Sequence, residues 1–153
     1  MNKKLIKHLS FSLLNEIYAI KIIQVKEILA WRASIDIPLC QEWVKGIINI
    51  RGQIIPVVNL NRRLGLKDSV KSKTTCIIVV ELSQRDGFIG FEVDSVQDVL
   101  YVDKTSKEAN PLFEADFDAE FIENVIRLNE ETKVILNIDK IFGQEDIIFK
   151  GVS

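Results

Sequence analysis

The second half of the chain repeats the first, and no other feature limits the fold as tightly. IYAIKIIQVKEIL (residues 17–29) aligns with FIGFEVDSVQDVL (88–100) at a constant offset, with VKEIL against VQDVL as the shared centre. Further on, VVNLNRRLG (57–65) aligns with ILNIDKIFG (135–143), and the same register sets IINI (47–50) against VIRL (125–128). Short apolar strands match one another by chance, but an ordered series that also places Asn59 opposite Asn137 is harder to dismiss. The chain reads as two copies of one five-strand unit. With 153 residues to divide, each copy falls below the size at which a hydrophobic core stands comfortably alone. The copies are therefore expected to pack against each other, leaving a groove between them.

Within each copy the pattern is one of short strands. Candidates are 5–13, 17–20, 26–35, 46–50 and 54–58, then 75–82, 88–91, 99–102, 125–128 and 133–136. The chain is 47% hydrophobic and rich in isoleucine and valine, whose β-branched side chains suit a pleated, half-buried surface. The spacing fits an all-β barrel or sandwich rather than alternating β and α units. Helical turns are expected at 60–64, 139–142 and 114–121. The polar segment LKDSVKSKT (66–74) has no apolar period and marks the expected boundary. That boundary gives one subdomain over about residues 1–66 and a second over about 75–153. Five strands closing into a small barrel leave few open edges.

Several function classes find no support. The net charge of −2 and the scatter of Lys and Arg argue against nucleic acid, whose partners carry a basic excess or patch. A single-strand binder would also need stacking aromatics along a basic groove. Cys40 and Cys76 make neither a disulfide framework nor a metal cluster, and the chain reads as reduced and cytosolic. MNKKLIKHLSF holds no long apolar region, so no secretory signal is expected. No apolar run nears the roughly 20 residues that span a bilayer. Neither phosphate-binding glycine motif occurs. His8, the one histidine, has no companion at ligand spacing and reads as an ordinary strand residue, with no metal and no cofactor expected. The run EADFDAE (114–120) reads as a solvated face, lacking the glycine and spacing of a calcium loop. Serines 10, 12, 34 and 83 have no nucleophile context. Trp31 and Trp43 fit either interface anchors or core and rim packing.

One residue resists this bland account. Arg51 interrupts the apolar run VKGIINIRGQIIPVVNL (44–60), where strand 46–50 must reverse into 54–58. Gly52 supplies the positive φ of a tight hairpin, and Pro56, unable to donate to a ladder, marks an edge or bulge. Taken alone, a solvated turn explains Arg51. In the second copy, however, Arg51 stands opposite Asn129 and IRGQIIP becomes LNEETKV, so the fold does not require arginine there. Glu27, on another strand of the same unit, is the expected partner. An Arg–carboxylate pair can be bidentate, fixing orientation as well as charge. Exposed pairs add little stability, so this one is better explained as shaping a surface.

KGIINIRGQIIPVVNLNRRLGL, VKEIL, FIGFEVDSVQDVL with its G-x-x-V-D-x-V-x-x-V pattern, and FIENVIRLNEETKVILNIDKIF together resemble the CheW family of bacterial chemotaxis coupling proteins, over nearly the whole chain. One departure is Asn124, where that family usually has glycine. The resemblance implies an all-β fold of two SH3-like five-stranded β-barrel subdomains, as a single CheW-like domain over 1–153, without catalysis. It implies a scaffold joining the cytoplasmic tips of transmembrane chemoreceptors to the regulatory domain of the histidine kinase CheA, cytoplasmic and held at receptor arrays through its partners, with no direct membrane insertion. By motif, Val25, Glu27, Gly46 and Arg51 match the receptor-binding face, with Gly52 and Ile54 flanking it, and Phe113 matches the kinase-contacting segment. The receptor tip, a helical hairpin, would lie in the groove between barrels. A regulatory module of a kinase or response-regulator fusion is the alternative. The chain starts at Met1 with no kinase domain before it and ends at Ser153 with no phosphoacceptor pattern after it, which favours a free-standing coupler.

Overall fold

The computed structural model describes residues 5–37, 43–83, 87–103 and 119–142. All ten expected strands are present: β1 (Leu5–Leu13), β2 (Glu16–Lys21), β3 (Val25–Ala30), β4 (Val44–Ile50), β5 (Gln53–Val58), β6 (Cys76–Glu81), β7 (Phe88–Val93), β8 (Ser95–Asp103), β9 (Ile122–Leu128) and β10 (Glu131–Leu136). The expected strand at 26–35 stops at Ala30, and only Ile35 pairs again, with Ile47 of β4. Two short helices follow the fifth strand of each repeat, α1 (Leu60–Arg63) and α2 (Ile138–Phe142). Asn59 and Asn137 begin them, and each side-chain carbonyl accepts the backbone N–H three residues on, at 3.0 and 3.2 Å. This capping explains the matched asparagines. Of the helical turn expected at 114–121, a 3-10 turn covers Ala119–Phe121 and the rest lies outside the described residues.

The strands form two five-stranded sheets, in the orders β8-β1-β2-β10-β9 and β3-β6-β7-β5-β4. When each repeat's strands are numbered one to five, both sheets run three, one, two, five, four. The duplication therefore holds at the level of pairing. The parallel contact of β2 with β10 sets Ala19 against Ile135, and its twin between β7 and β5 sets Gly90 against Val57. The third strands are bulged at equivalent places, where Val25 faces Val80 and Val96 faces Phe11. Even an ion pair is repeated with its charges exchanged: Lys21–Glu123 at 3.2 Å in one sheet and Glu92–Lys45 at 3.1 Å in the other.

The expected partition at 66–74 is corrected by this topology. The first sheet takes β1 and β2 from the first repeat and β8, β9 and β10 from the second; the other sheet is the reciprocal mixture. Each repeat changes sheet after its second strand. A 3-10 turn at Ile22–Gln24 makes that crossing in the first repeat, and Asp94 alone makes it in the second. The result is a shared core. Leu9, Phe11, Leu13, Tyr18 and Ile20 of the first sheet pack with Val58, Ile78, Val80, Ile89 and Phe91 of the second in one buried cluster, with the Phe11 and Phe91 rings 5.7 Å apart. Trp43 joins this core against Phe142, at 5.7 Å, under the Arg63 guanidinium, so its role here is packing.

Inside the second sheet lies a separate aliphatic cluster of Leu29, Ile48, Ile50, Ile55, Val57, Ile77 and Val79. Leu29 comes from the strand at one end of that sheet and Ile48 and Ile50 from the strand at the other. The sheet is therefore curled around this cluster. Its ends meet through two backbone hydrogen bonds between Ile35 and Ile47, at 2.8 and 2.9 Å.

Candidate functional site

The candidate site sits at one end of the curled second sheet. β4 and β5 are joined by a two-residue turn, Arg51-Gly52, with φ of 50° and 84°. Two successive positive φ values are the mark of a type I′ hairpin, whose twist matches that of its strands. The twin turn, Asn129-Glu130, has φ of 52° and 65°. The repeats thus share the turn geometry and differ in the side chains it carries. Asn49 supports the first turn, its side-chain carbonyl accepting the Gly52 N–H at 2.9 Å. The sequence reading passed over Asn49, although an asparagine just ahead of an x-Gly turn is a recognisable signal.

Glu27 lies on β3, and alternation places it on the same face as buried Leu29, toward the aliphatic cluster. Both guanidinium NH₂ groups of Arg51 donate to it: Nη1 to Oε1 at 3.0 Å and Nη2 to Oε2 at 2.7 Å. The expected pair is formed, and it is bidentate. It clasps β3 to the β4–β5 turn, joining the two ends of the sheet order. The hydrogen bonds from Arg51 hold the Glu27 carboxyl below its ordinary range against the opposing effect of desolvation, with smaller help from the charges of Arg51 and Arg32, and the same carboxylate raises Arg51. Both side chains are therefore ionised throughout the neutral range. The Arg51 side chain is 75% exposed and that of Glu27 29%, so the pair presents a fixed cation and a largely covered anion. The twin of Glu27 is Asp98 and that of Arg51 is Asn129, a neutral amide, so no ion pair can form between the twin positions.

The other expected residues divide into surface and support. Ile54, half exposed, follows the turn on β5, and Ile28, 46% exposed, follows Glu27 on β3. Each leaves apolar surface exposed close in sequence to the clasp. Gly52 is open, with nothing within 4 Å of where a Cβ would stand. Val25 is half-buried and packs against the shared core. Gly46 is buried. A Cβ there would overlap the Ile35 carbonyl, so Gly46 permits the close approach that brings the ends of the sheet together. Phe113 lies outside the described residues.

The clasp offers a cation, hydrogen-bond acceptors and aliphatic surface, with no nucleophile beside a base. Among the described residues no three His, Cys, Asp or Glu side chains gather where they could hold a metal ion, and no helix is long and apolar enough to cross a membrane.

Comparison with known proteins identifies the family. The chain matches the model of the CheW-like domain over residues 7–146. It is 28% identical over 138 residues to the chemotaxis protein CheW of Rhizobium meliloti (strain 1021), covering 90% of this chain and 88% of that protein. It is 30% identical over 129 residues to the chemotaxis protein CheW of Bacillus subtilis (strain 168), covering 84% and 81%. Among solved structures it superimposes on the scaffolding protein TtCheW from Thermoanaerobacter tengcongensis with a TM-score of 0.80 and 31% identity, over 97% of this chain and 99% of that one. The interleaved pair of five-stranded sheets, the motifs around Arg51 and these likenesses lead to one conclusion: the chain belongs to the CheW-like domain family.

Proposed function

We propose that this protein is a non-catalytic adaptor of the bacterial chemotaxis machinery, coupling the cytoplasmic tips of chemoreceptors to the histidine kinase CheA. The observation that carries this reading is the Glu27–Arg51 clasp. Of two duplicated hairpins with the same backbone, one alone bears an arginine, held bidentate and largely exposed. Its side chain is oriented before any partner arrives, which lowers the ordering cost of recognition.

The receptor face then comprises Arg51, Glu27, Gly52 and Ile54, with Val25 beneath and Gly46 setting the strand approach that places them. A helical hairpin would lay an apolar ridge against Ile54 and Ile28 and meet Arg51 with an acidic or carbonyl group. The kinase would be engaged elsewhere, in a segment that includes Phe113, and receptor state would reach it through differential fit of these contacts. The protein would act in the cytoplasm, gathered at receptor arrays by its partners.

The test is co-sedimentation with a receptor cytoplasmic fragment, with and without CheA. Wild type is expected to sediment with the fragment and to increase the CheA recovered with it. Normal recovery of receptor by an Arg51→Glu protein would defeat the proposed face. Phosphate release from ATP above that of heat-killed protein would defeat the non-catalytic reading.

A further inference from the structure

The two crossings between sheets are fastened in different ways. At each, a backbone N–H just past the other repeat's first strand is received by a carboxylate. In the second crossing that carboxylate belongs to the crossing residue itself: Asp94 Oδ2 accepts the Leu14 N–H at 2.8 Å. Ser83 is the counterpart of Leu14. Leu14 stands three residues beyond Phe11 and Ser83 three beyond Val80, the two residues that face the equivalent bulges. In the first crossing Ile23 occupies the place of Asp94 and has no side-chain acceptor. Asp139, on α2 of the second repeat, supplies the carboxylate instead. Its Oδ1 accepts the Ser83 N–H and its Oδ2 the Ser83 hydroxyl, both at 2.8 Å. The same Oδ1 accepts Gln24 Nε2 at 3.1 Å, and Gln24 is the last residue of the 3-10 turn that makes the crossing.

We propose that Asp139 is a positioning residue for the receptor face: by holding Gln24 and Ser83 it fixes the start of β3, and with it the Glu27 carboxylate that clasps Arg51. The effect on the clasp is a property of this chain alone, and its consequence for binding rests on the receptor reading above. The anchor is firm. Ile138, Ile141 and Phe142 bury α2 in the shared core, and the Asn137 N–H donates to the Phe121 carbonyl at 2.8 Å. A carboxylate accepts from all three donors with no hydrogen of its own to place.

β3 needs such an anchor where Asp139 provides it. Its ladder to β6 is interrupted by the bulge between Val25 and Glu27, so the hold on the strand is weakest just ahead of Glu27. The other contacts there are long: Gln24 Nε2 reaches the Glu81 carbonyl at 3.3 Å, and Lys26 meets the Glu81 carboxylate at 4.0 Å. The twin of Asp139 is Asn61, two residues beyond the capping asparagine of α1. It turns to its own loop, donating to the Lys67 carbonyl and the Ser69 hydroxyl, both at 2.9 Å. The crossing held by a helix is therefore the one that delivers Glu27, while the crossing that delivers Asp98 is fastened by Asp94.

The titration of Glu27, read from its side-chain carboxyl ¹³C resonance in the free protein, reports the clasp directly. Hydrogen bonds from Arg51, helped by the charges of Arg51 and Arg32, hold its pKa low, so a loosened clasp raises it. Asp139→Ala is expected to move the midpoint up toward the ordinary carboxylate range. Loss of the Asp139 charge would by itself move it down, so the sign separates a loosened clasp from a removed charge. Asp139→Asn keeps an oxygen for Gln24 and the Ser83 N–H and should retain the wild-type midpoint. Asn61→Ala, which frees the other helix from its loop, should leave Glu27 unmoved. With the receptor fragment, Asp139→Ala should be recovered roughly threefold less than wild type, and Asp139→Asn equally. A Glu27 midpoint unmoved or lowered in Asp139→Ala, or an equal rise in Asn61→Ala, would overturn the latch. A raised midpoint with normal receptor recovery would overturn the positioning role. The titration needs no partner, whereas sedimentation of wild type judges the receptor reading, so the two fail separately.

Discussion

At Arg51 backbone and side chain pull in opposite directions. A φ of 50° is uncommon for arginine, while the twin turn uses asparagine, which tolerates that region. A residue kept against its backbone preference is a reason to look for a role in its side chain. Arg51→Asn copies the twin turn, relieves the backbone and removes the cation. Its thermal midpoint is expected to stay within about 3 °C of wild type, while receptor recovery falls roughly tenfold or more, as at an interface anchor. A midpoint that collapses with binding would make Arg51 a structural residue. The pH dependence follows from the lowered Glu27 pKa. Its stabilising contribution is complete above the ordinary carboxylate range and is lost only as pH falls through the lowered folded value. Receptor recovery should therefore be flat from about pH 6 to 8, and a rise or fall across that range would locate the controlling group elsewhere.

His8 gives a second residue-scale expectation, with the sign worked through linkage. Its folded pKa is lowered below 6.5, chiefly by burial. A depressed folded pKa stabilises above the unfolded value, and the benefit disappears as pH falls through the folded one. The His8→Ile variant copies Ile77 of the other barrel and removes both this slope and an unsatisfied acceptor, Nε2. It should be about 1 kcal/mol more stable at neutral pH and should lose less stability than wild type between about pH 7 and pH 5. Parallel urea titrations at both pH values test this, and identical pH slopes would exclude His8 as the titrating group.

At the scale of elements, glycines in the strands show what side-chain periodicity cannot. Gly46 and Gly90 both lie within strands, and from the sequence each signals a bulge or a close approach without saying to what. The structure separates them. At Gly46 a Cβ would collide with backbone, the carbonyl of Ile35, while at Gly90 the nearest atom is a side-chain methyl of Ile77 at 3.1 Å, and its twin Ala19 already carries a Cβ. Gly46→Ala should cost about 2–3 kcal/mol, as overpacking against an unyielding neighbour does, and should speed amide exchange at Ile35 and Ile47, whose bonds close the barrel. Gly90→Ala should cost no more than about 1 kcal/mol. Equal costs would mean that the Ile35–Ile47 bridge is not a constraint. Much else at this scale was legible beforehand: ten strands, the helical turns after each fifth strand, and the Glu27–Arg51 pair. The strand at 26–35 was read too long because apolar character continues through Trp31 while the pairing does not. Asn49 was missed because its contribution is a single hydrogen bond within a turn, which leaves no periodic trace.

The whole molecule turns on a property that local patterns do not carry. Alternation tells which face of a strand is buried, but either repeat offers equally suitable partners, so the duplication was visible and the exchange of strands between its copies was not. That exchange has a mechanical consequence. In the first repeat alone, β3 lacks β6, its ladder partner, and β5 lacks β7; in the second, β8 lacks β1 and β10 lacks β2. The core cluster draws on both sheets and both repeats, so neither half can bury its apolar surface unaided. Fragments cut within the polar segment 66–74 should each give poorly dispersed amide spectra and no cooperative melt. Mixed in equal amounts they should recover the intact spectrum, because every missing ladder is supplied by the other fragment. The uncut chain should melt in one transition seen alike by Trp fluorescence and by far-ultraviolet circular dichroism, since Trp43 packs into the shared core. A fragment that folds alone would show that sequential halves are the folding units and that the strand exchange is a late docking event rather than the basis of the fold.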